Sequence, residues 1–443
     1  MLHGPVAVTA AIGLAALAGC AGETASIGAA FVPVLDQPPE PIHALDVLFV
    51  IDDSASMQDQ QDALIASAQQ ALFDQLATQT DGLPDLRVGV ISTTVSLDVD
   101  GLTCTDDAPD GQLRHTPRVE GCAAPRDPWI EDIDDGAGGR IRNYDGTLGD
   151  AFGCIAALGT SGCGFEHPLE AMRRALDGSQ PGNAGFLRDD ALLLVVILSD
   201  EDDCSAFDPA VFSPTDASID SPLGPLHSFR CFEFGVVCDD DDPRTPGGKD
   251  GCVPREDSPF LSPVAGYVEF LRGLKADPSM VMVAGIFGDA GPIEVMPDPT
   301  RAPEVTLASL CPGGADAYPA VRLDAFAEAF PCRYVLAPIC DADMAAHLVR
   351  IASTTAGVLA ARACLLGDLP ASPSCRASAE IPGGARRGLA VCAHAGDAGC
   401  VTIAADEARC GYTPSRLAAD APAGLLRADE HLVVECALDD RAP

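Results

Sequence analysis

The sequence predicts an α/β fold: a doubly wound, mostly parallel sheet with long disulfide-rich insertions, followed by a small cysteine-rich domain of β type. Between residues 44 and 356, strand-like apolar runs alternate with segments of helical periodicity, which is typical of parallel α/β sheets. Residues 191–198 form an unbroken apolar run, as expected for a central strand covered on both faces. After about residue 363, short β-like runs and six cysteines replace this pattern. We therefore predict a large α/β domain at 44–356 and a disulfide-rich domain at 364–443.

Each predicted element has its own signal in the sequence. Leucine and alanine at spacings of four between residues 64 and 76 predict a helix after the first strand, at 45–51. Pro168 lies near the start of a second helix, and Gly178 lies just beyond its end, as residue preferences at helix termini favour. The remaining predicted elements are strands at 87–91, 191–198, 280–287 and 334–336, and helices near 264–274 and 344–351.

Two long segments interrupt this alternation, at residues 97–160 and 202–257. Both are rich in Asp, Gly, Pro and Cys, and both are too long to be bare connections. We predict that they are disulfide-pinned excursions on one rim of the sheet, where they set binding specificity.

The 18 cysteines indicate an oxidising compartment. None belongs to a CxxC motif or a tight cluster with histidine, which disfavours zinc and favours disulfides. With Cys20 assigned to a lipid anchor, 17 cysteines remain, so one thiol is left free or bonded to a partner. Sequence alone does not fix the pairing, but short loops suggest three candidates: Cys104 with Cys122, Cys154 with Cys163, and Cys238 with Cys252.

The N-terminus predicts export. Residues 6–18 are apolar but too few to cross a bilayer as a permanent helix, so residues 1–19 are interpreted as a signal peptide. The end of this segment, Leu17-Ala18-Gly19-Cys20, resembles the lipobox of bacterial lipoproteins. The resemblance implies a lipid anchor on Cys20 in the cell envelope, in the outer membrane of a Gram-negative bacterium; an ordinary secretory signal is the alternative. Residues 20–43 carry four prolines and are predicted to be a tether.

Charge and motifs argue against two classes of function. The chain has 66 acidic and 27 basic residues and a net charge of -39, which repels phosphate backbones and makes nucleic acid an unfavourable partner. It contains no G-x-S-x-G, H-E-x-x-H or Walker loop, so we predict a binding protein and not an enzyme.

Oxygen-bearing side chains follow two predicted strands at the point where each strand ends. Asp52, Ser54 and Ser56 follow the first strand, and Asp200 follows the apolar run at 191–198. Ligands of α/β sheets bind beyond the carboxyl ends of the strands, so these side chains are expected to converge. Carboxylates and hydroxyls without nitrogen or sulfur suit Mg²⁺, Ca²⁺ or Mn²⁺. The alternative is a turn and helix cap made of Asp and Ser.

The stretch Asp52-Asp53-Ser54-Ala55-Ser56 resembles the D-x-S-x-S motif of von Willebrand factor type A (vWA) domains, including integrin I domains. The resemblance covers roughly residues 44–356, with the two insertions unmatched. It implies a metal-ion-dependent adhesion site, in which the motif's Asp and two Ser side chains are first-loop ligands and Asp200 is the last-loop ligand. The family normally has a threonine where this sequence has Glu166.

Glu166 changes the charge of the ligand set that the resemblance implies. With Asp52 and Asp200 it brings three carboxylates to one divalent cation, so less attraction is left for an acidic partner. We expect tight binding of the cation, Ca²⁺ being a candidate. The alternative is a solvated charge at a helix N-terminus. Asp59 occupies a place that resembles an adjacent metal site in integrin β domains; a solvated helix face is the alternative there.

These signals together predict a cell-envelope lipoprotein whose vWA domain binds another macromolecule through a cation at its rim. The competing prediction is a scaffold or assembly factor in which the cation only stabilises the loops. The two differ in whether partner binding survives removal of the metal.

Overall fold

The computed structural model describes residues 31–437 except 39, 81, 216, 241, 302, 313–315, 362, 366–368, 370–372, 394–396, 398, 407–409 and 411–414. The predicted signal peptide and Cys20 lie outside the described residues. Among those residues, no helix is both long and apolar enough to span a membrane.

The strands, in chain order, are β1 (Phe31–Gln37), β2 (Ala44–Ile51), β3 (Asp85–Ser92), β4 (Leu97–Val99), β5 (Leu102–Cys104), β6 (Ile130–Asp134), β7 (Arg140–Arg142), β8 (Leu192–Leu198), β9 (Val236–Val237), β10 (Gly247–Lys249), β11 (Val253–Pro254), β12 (Val281–Phe287), β13 (Ile293–Pro297), β14 (Val305–Leu307), β15 (Tyr334–Pro338), β16 (Cys375–Glu380), β17 (Arg386–Leu389), β18 (Thr402–Ala405), β19 (Leu417–Asp420) and β20 (His431–Ala437). The α-helices are α1 (Gln58–Ser67), α2 (Asp74–Gln79), α3 (Leu148–Ala156), α4 (Pro168–Leu176), α5 (Phe229–Gly235), α6 (Val264–Gly273), α7 (Val321–Glu328) and α8 (Met344–Leu359). A π-helical segment, Ala68–Phe73, joins α1 to α2.

The central sheet has seven strands in the order β15-β12-β8-β2-β3-β6-β7. The five strands from β15 to β3 are parallel, whereas β6 pairs antiparallel with β3, and β7 pairs antiparallel with β6. The sheet is therefore mixed. Strands β6 and β7 and the buried helix α3 all come from residues 97–160, so that segment is in part core structure and not only a rim excursion.

Helices cover both faces of this sheet because the side chains of β2 alternate between two apolar clusters. Phe49 and Ile51 belong to one cluster, with α1, α2, α3 and α8, while Leu48 and Val50 belong to the other, with α4, α6 and α7. On the first face the ring of Phe49 lies 4.8 Å from that of Phe152, centroid to centroid. The sheet is thus buried on both sides, and its exposed features are its loops and edges.

The predicted tether is partly wrong. Residues 31–37 form β1, which pairs antiparallel with β20 at the edge of a four-stranded sheet of order β1-β20-β16-β17. Val34 and Leu35 are buried in the apolar cluster of this second sheet, and burying them favours pairing over a free linker. Pro33 is tolerated because β1 is an edge strand with a register shift between Pro33 and Leu35.

Eight disulfides cross-link the described residues. Of the three candidate pairs, Cys238–Cys252 is confirmed, and the other two are wrong. Cys104, Cys122, Cys154 and Cys163 instead form two nested pairs, and only the outer pair joins the first insertion to the segment after it. The last six cysteines pair among themselves. The remaining disulfides are Cys104–Cys163, Cys122–Cys154, Cys204–Cys231, Cys311–Cys340, Cys364–Cys410, Cys375–Cys436 and Cys392–Cys400.

The second insertion, residues 202–257, folds around an arginine. Arg230 is 1% exposed, and its guanidinium donates hydrogen bonds to four backbone carbonyls of the surrounding loop. Satisfying these carbonyls inside the loop lets a long irregular segment be buried without a strand ladder. The insertion ends beside the carboxyl ends of the sheet strands.

Candidate metal-binding rim

The candidate site lies on the loops at the carboxyl ends of β2 and β8, with Glu166 before α4 and residues 316–318 before α7; we call this region the rim. Because β2 and β8 are parallel neighbours, their following loops start side by side, and the backbone N–H of Asp52 donates to the carbonyl of Leu198 at 2.9 Å. This adjacency brings Asp52 and Asp200 together, as the sequence predicted.

Asp52 is fully buried and fixed by two hydrogen bonds. Its Oδ1 accepts from the backbone N–H of Ser54 at 2.8 Å, and its Oδ2 accepts from the hydroxyl of Ser199 at 2.7 Å. The hydroxyls of Ser54 and Ser56 lie 3.3 Å apart, the first buried and the second exposed. The D-x-S-x-S segment therefore places one carboxylate and a pair of hydroxyls in a single loop.

Asp200 and Glu166 are the unusual carboxylates of the rim. Each is 1% exposed, yet both carboxylate oxygens of Asp200 and the Oε1 of Glu166 have no hydrogen-bond partner among the described residues. Burial raises the pKa of Asp200 to about 6, and the nearby Ser56 hydroxyl only partly opposes this shift. A buried charged oxygen without a partner is costly, so such an atom calls for an explanation.

Glu166 is not the solvated helix-terminal charge of the alternative prediction. Burial, followed by the carboxylates of Glu201, Asp52 and Asp200, raises its pKa well above the ordinary value. Burial and the carboxylate of Asp200 likewise raise the pKa of Asp52. The acids thus act on one another, and the physical cause is mutual repulsion in a place with little water.

The rim acids differ from the other buried acids of the chain. Seven buried carboxylates lie within ion-pair distance of arginine: Asp46, Asp53, Asp132, Glu170, Asp203, Glu430 and Glu435. The three other fully buried acids of the described residues, Asp52, Glu166 and Asp200, have no such basic partner, and all three lie on the rim. No basic side chain among the described residues lies within ion-pair distance of these three acids.

The side chains of the rim are oxygen donors of the type that hard cations take, but their carboxylates are not gathered around one point. Among the described residues, no group of three or more His, Cys, Asp or Glu side chains lies close enough together to hold a metal ion. The carboxylates alone do not form a cage, so the hydroxyls of Ser54 and Ser56 are needed as additional donors. Carboxylate and hydroxyl oxygens are the donors that Mg²⁺, Ca²⁺ and Mn²⁺ take.

Asp53, the second acid of the motif, points into the domain. Its Oδ1 accepts from the hydroxyls of Ser92 and Thr94 at 2.8 and 2.9 Å, and its Oδ2 lies 3.8 Å from the guanidinium of Arg114. It therefore anchors the loop and is not a rim donor. Asp59 lies exposed on the first turn of α1, as in the alternative of a solvated helix face.

Gln61 supports the motif loop from beneath, a role that no sequence motif indicates. Its side chain is 1% exposed and donates to the carbonyls of Asp52 at 2.8 Å and Gly159 at 2.9 Å. Its Oε1 accepts from the backbone N–H groups of Leu158 and Gly159, both at 3.1 Å. The loop is thereby tied to the end of the first insertion.

Three further residues join the rim. Glu201 stands against Glu166, the backbone N–H of Tyr318 donates to the carbonyl of Asp200 at 2.9 Å, and Asp316 is exposed nearby. After burial, the carboxylates of Asp316, Glu201 and Asp200 raise the pKa of Tyr318 to about 12. Glu201 belongs to the acidic run LSDEDD, whereas Asp316 is more than a hundred residues away and carried no sequence signal.

The acids that follow Glu201 are structural. Asp202 accepts from the backbone N–H groups of Arg322 and Leu323 at the start of α7. Asp203 accepts from the guanidinium of Arg322 at 2.9 Å, with both side chains fully buried. They hold the insertion against the core.

Comparison with known proteins gives little beyond this geometry. No protein-family model matches the chain, and no curated protein matches it. Among solved structures, it is similar to a von Willebrand factor type A protein from Catenulispora acidiphila, with 13% identity and a TM-score of 0.30 over 93% of this chain and 66% of that one. It is also similar to the pilus adhesin RrgA from Streptococcus pneumoniae, with 11% identity and a TM-score of 0.29 over 93% of this chain and 58% of the adhesin. TM-scores this low carry no argument about function.

Proposed function

We propose that this chain is a cell-envelope protein whose α/β domain binds a divalent cation at the rim and holds a partner protein there, in the manner of vWA domains. The observation that supports this best is the set of three buried acids without arginine, of which Asp200 and Glu166 have unpartnered oxygens. A cation is the simplest source of the missing positive charge.

The residues that would hold the cation are Asp52, Ser54, Ser56, Glu166 and Asp200. A bound Mg²⁺, Ca²⁺ or Mn²⁺ would supply a positive centre with a coordination position for an oxygen of the partner. Asp53 and Gln61 hold the motif loop in place, and Ser199 orients the Asp52 carboxylate. No side chain in this arrangement is set up as a nucleophile with its base, so the proposal is binding and not catalysis.

Glu166 sets the metal preference in this proposal. It adds a third negative charge to the donor set, which favours tight retention of a cation with flexible coordination, such as Ca²⁺. Glu166→Thr restores the neutral donor that the vWA family usually has. It is expected to weaken Ca²⁺ binding by tenfold or more while leaving the fold intact; unchanged Ca²⁺ and Mg²⁺ affinities would contradict the proposal for this residue.

The proposed location is the outer membrane of a Gram-negative bacterium, with a lipid anchor on Cys20. Its support is the lipobox resemblance, together with eight disulfides that require an oxidising compartment. Mass spectrometry of the N-terminal peptide of the exported protein tests it: a diacylated Cys20 supports the anchor, and an unmodified or differently cleaved N-terminus rejects it.

A scaffold is the second candidate function. The observation in its favour is that hydrogen bonds from Ser199 and Gln61 already hold the motif loop, so a cation could serve only to complete the fold. Partner binding that survives chelation would favour this candidate over metal-dependent adhesion.

Calorimetric titration of Mg²⁺, Ca²⁺ and Mn²⁺ into the metal-stripped protein tests the proposed site. Asp52→Ala is expected to abolish binding, and Asp59→Ala is the matched control, since Asp59 is an exposed acid in the adjoining helix turn. Binding that is lost in the first variant and kept in the second supports the rim site. No binding by the wild type, or binding that ignores Asp52, overturns it.

A further inference from the structure

We infer that two disulfides, Cys104–Cys163 and Cys204–Cys231, hold Glu166 in the rim, and that cation binding depends on both of them. These cysteines are positioning residues, since they act on the site through Glu166. The part of the inference that concerns cation binding rests on the proposed function. It goes further in making the two insertions responsible for the geometry of the site.

Glu166 lies in a segment that has no regular structure of its own. Residues 157–167 connect α3 to α4 without a helix or a strand, and we call them the Glu166 segment. The carboxylate of Glu166 is buried with an unpartnered Oε1, and those of Glu201, Asp52 and Asp200 repel it. In the metal-free protein, turning this side chain out to water would remove both costs. The segment therefore needs a restraint that neither a helix nor a sheet supplies.

The first disulfide fixes the Glu166 segment beside the motif loop. Cys163 is 2% exposed and is bonded to Cys104, the last residue of β5 in the first insertion. The backbone N–H of Cys163 donates to the hydroxyl of Thr94 at 3.0 Å, and this hydroxyl donates to the Oδ1 of Asp53 at 2.9 Å. The backbone N–H of Gly162 donates to the carbonyl of Asp53 at 2.8 Å. The covalent link thus lies where the segment contacts the motif loop.

The second disulfide fixes the segment at Glu166 itself. Cys204 is fully buried and is bonded to Cys231, which lies on α5 of the second insertion. The backbone N–H of Cys204 donates to the carbonyl of Glu166 at 2.8 Å. Next to this contact, the ring of Phe165 packs on that of Phe212, with centroids 4.8 Å apart. Each insertion therefore contributes one covalent link beside Glu166.

Covalent links restrain the segment in a way that its hydrogen bonds do not. A hydrogen bond contributes little net stability, and leaving a buried charged oxygen without a partner costs at least as much. A disulfide limits how far the segment moves even when these hydrogen bonds open. When Glu166 is already in place, it does not have to be ordered as the cation binds, and the ordering that is avoided raises the affinity.

Calorimetric titration with Ca²⁺ tests the inference on two variants, each of which lacks one disulfide: Cys104→Ser/Cys163→Ser and Cys204→Ser/Cys231→Ser. Each variant should bind Ca²⁺ about tenfold more weakly than the wild type, the factor expected when one side chain has to be ordered on binding. Unchanged affinity in both variants would overturn the inference.

Cys238→Ser/Cys252→Ser is the matched control. It removes a disulfide of the same second insertion, but these cysteines flank β9 and β11 and do not belong to the contacts of the Glu166 segment. This control should bind Ca²⁺ as the wild type does. A loss as large as in the two test variants would overturn the inference, because the effect of removing a disulfide would then be general.

A pair of glycine variants tests the same role with every disulfide closed. A Cβ on Gly162 would lie 2.2 Å from the Oδ1 of Asp53, so Gly162→Ala should push the segment from the motif loop. Its Ca²⁺ binding should weaken about tenfold, as in the disulfide variants. A Cβ on Gly164 would have no atom within 4 Å, so Gly164→Ala should bind as the wild type does. Equal affinities of these two variants would also overturn the inference.

Hydrogen exchange in EDTA separates this inference from the proposed function, because it needs no cation. The amide to follow is that of Cys204, which donates to the carbonyl of Glu166. It should exchange about tenfold faster in Cys104→Ser/Cys163→Ser than in the wild type. Ca²⁺ binding by the wild type with equal exchange rates and equal affinities rejects the positioning role alone. If the wild type binds no Ca²⁺, the metal site is rejected, and the exchange rates alone decide whether the disulfides hold Glu166.

Discussion

His431 couples the C-terminal sheet to the α/β domain in a pH-dependent way. It is 4% exposed on β20; its Nδ1 lies 2.8 Å from an oxygen of Asp36 on β1, and its Nε2 lies 3.4 Å from an oxygen of Asp277 in the α/β domain. Burial alone would lower the pKa of His431, but the hydrogen bonds to Asp277 and Asp36 outweigh it and raise the pKa to about 9.

The sign and size of the effect follow from this shift. Since the folded pKa lies above the ordinary value of 6.5, the stabilisation is fully present below pH 6.5 and is lost as the pH rises through 9. The linkage relation gives about 3 kcal/mol at pH 6 and about 1.4 kcal/mol at pH 8. The second sheet should therefore lose about 2 kcal/mol of opening free energy between these two pH values.

Hydrogen exchange of the backbone amides of β20 measures this opening free energy, once the intrinsic exchange rate at each pH is divided out. In His431→Asn the pH dependence should vanish, and exchange at pH 6 should be about a hundredfold faster than in the wild type. His115→Asn, an exposed histidine in the first insertion, is the control and should behave as the wild type. Equal pH dependence in the wild type and His431→Asn would refute the reasoning.

Three other predictions concern a buried ion pair, an unpaired acid of the rim and two disulfides. Arg322→Met should lower the free energy of unfolding by about 3–5 kcal/mol in urea titration, because it leaves the buried carboxylate of Asp203 unpaired; a loss below 1 kcal/mol would contradict this. Asp200→Asn should raise the free energy of unfolding of the metal-free protein in EDTA at pH 8. Burial chiefly raises the pKa of Asp200 to about 6, so removing the charge should stabilise this form by on the order of 2 kcal/mol; lower stability would count against the prediction. Peptide mapping without reduction should recover Cys104–Cys163 and Cys122–Cys154; recovery of Cys104–Cys122 and Cys154–Cys163 would show that this arrangement is wrong.

Strands could be predicted from the sequence where a continuous run of apolar side chains marks them. The runs of β2, β8 and β12 are apolar on both faces, because both faces of the sheet are buried. Strand β6, with the sequence IEDID, is half buried at the sheet's antiparallel edge and resembles a loop. Strand β1 was missed because its partner β20 lies about 400 residues further along the chain.

Part of the rim could be predicted because it follows strands that the sequence identifies. Asp52 and Asp200 each follow a recognisable strand, and the parallel order of β2 and β8 brings them together. Glu166 was placed by resemblance, and only the structure shows that it is buried. Asp316 lies in a loop whose position depends on tertiary packing, so no local pattern indicates it.

The positions of the arginines distinguish the rim acids from the other buried acids. With 66 acids and 27 bases, the chain cannot neutralise every carboxylate. Among the described residues, seven of the ten buried acids are paired with arginine, and the three that are not lie at one place. Burying an unpaired carboxylate costs stability, so an arrangement selected for stability alone would put arginine there as well. Unfavourable groups are tolerated where binding removes the cost, which is the condition that a cation would meet at the rim. The same acids that weaken the metal-free protein would then be those that make its binding depend on the metal.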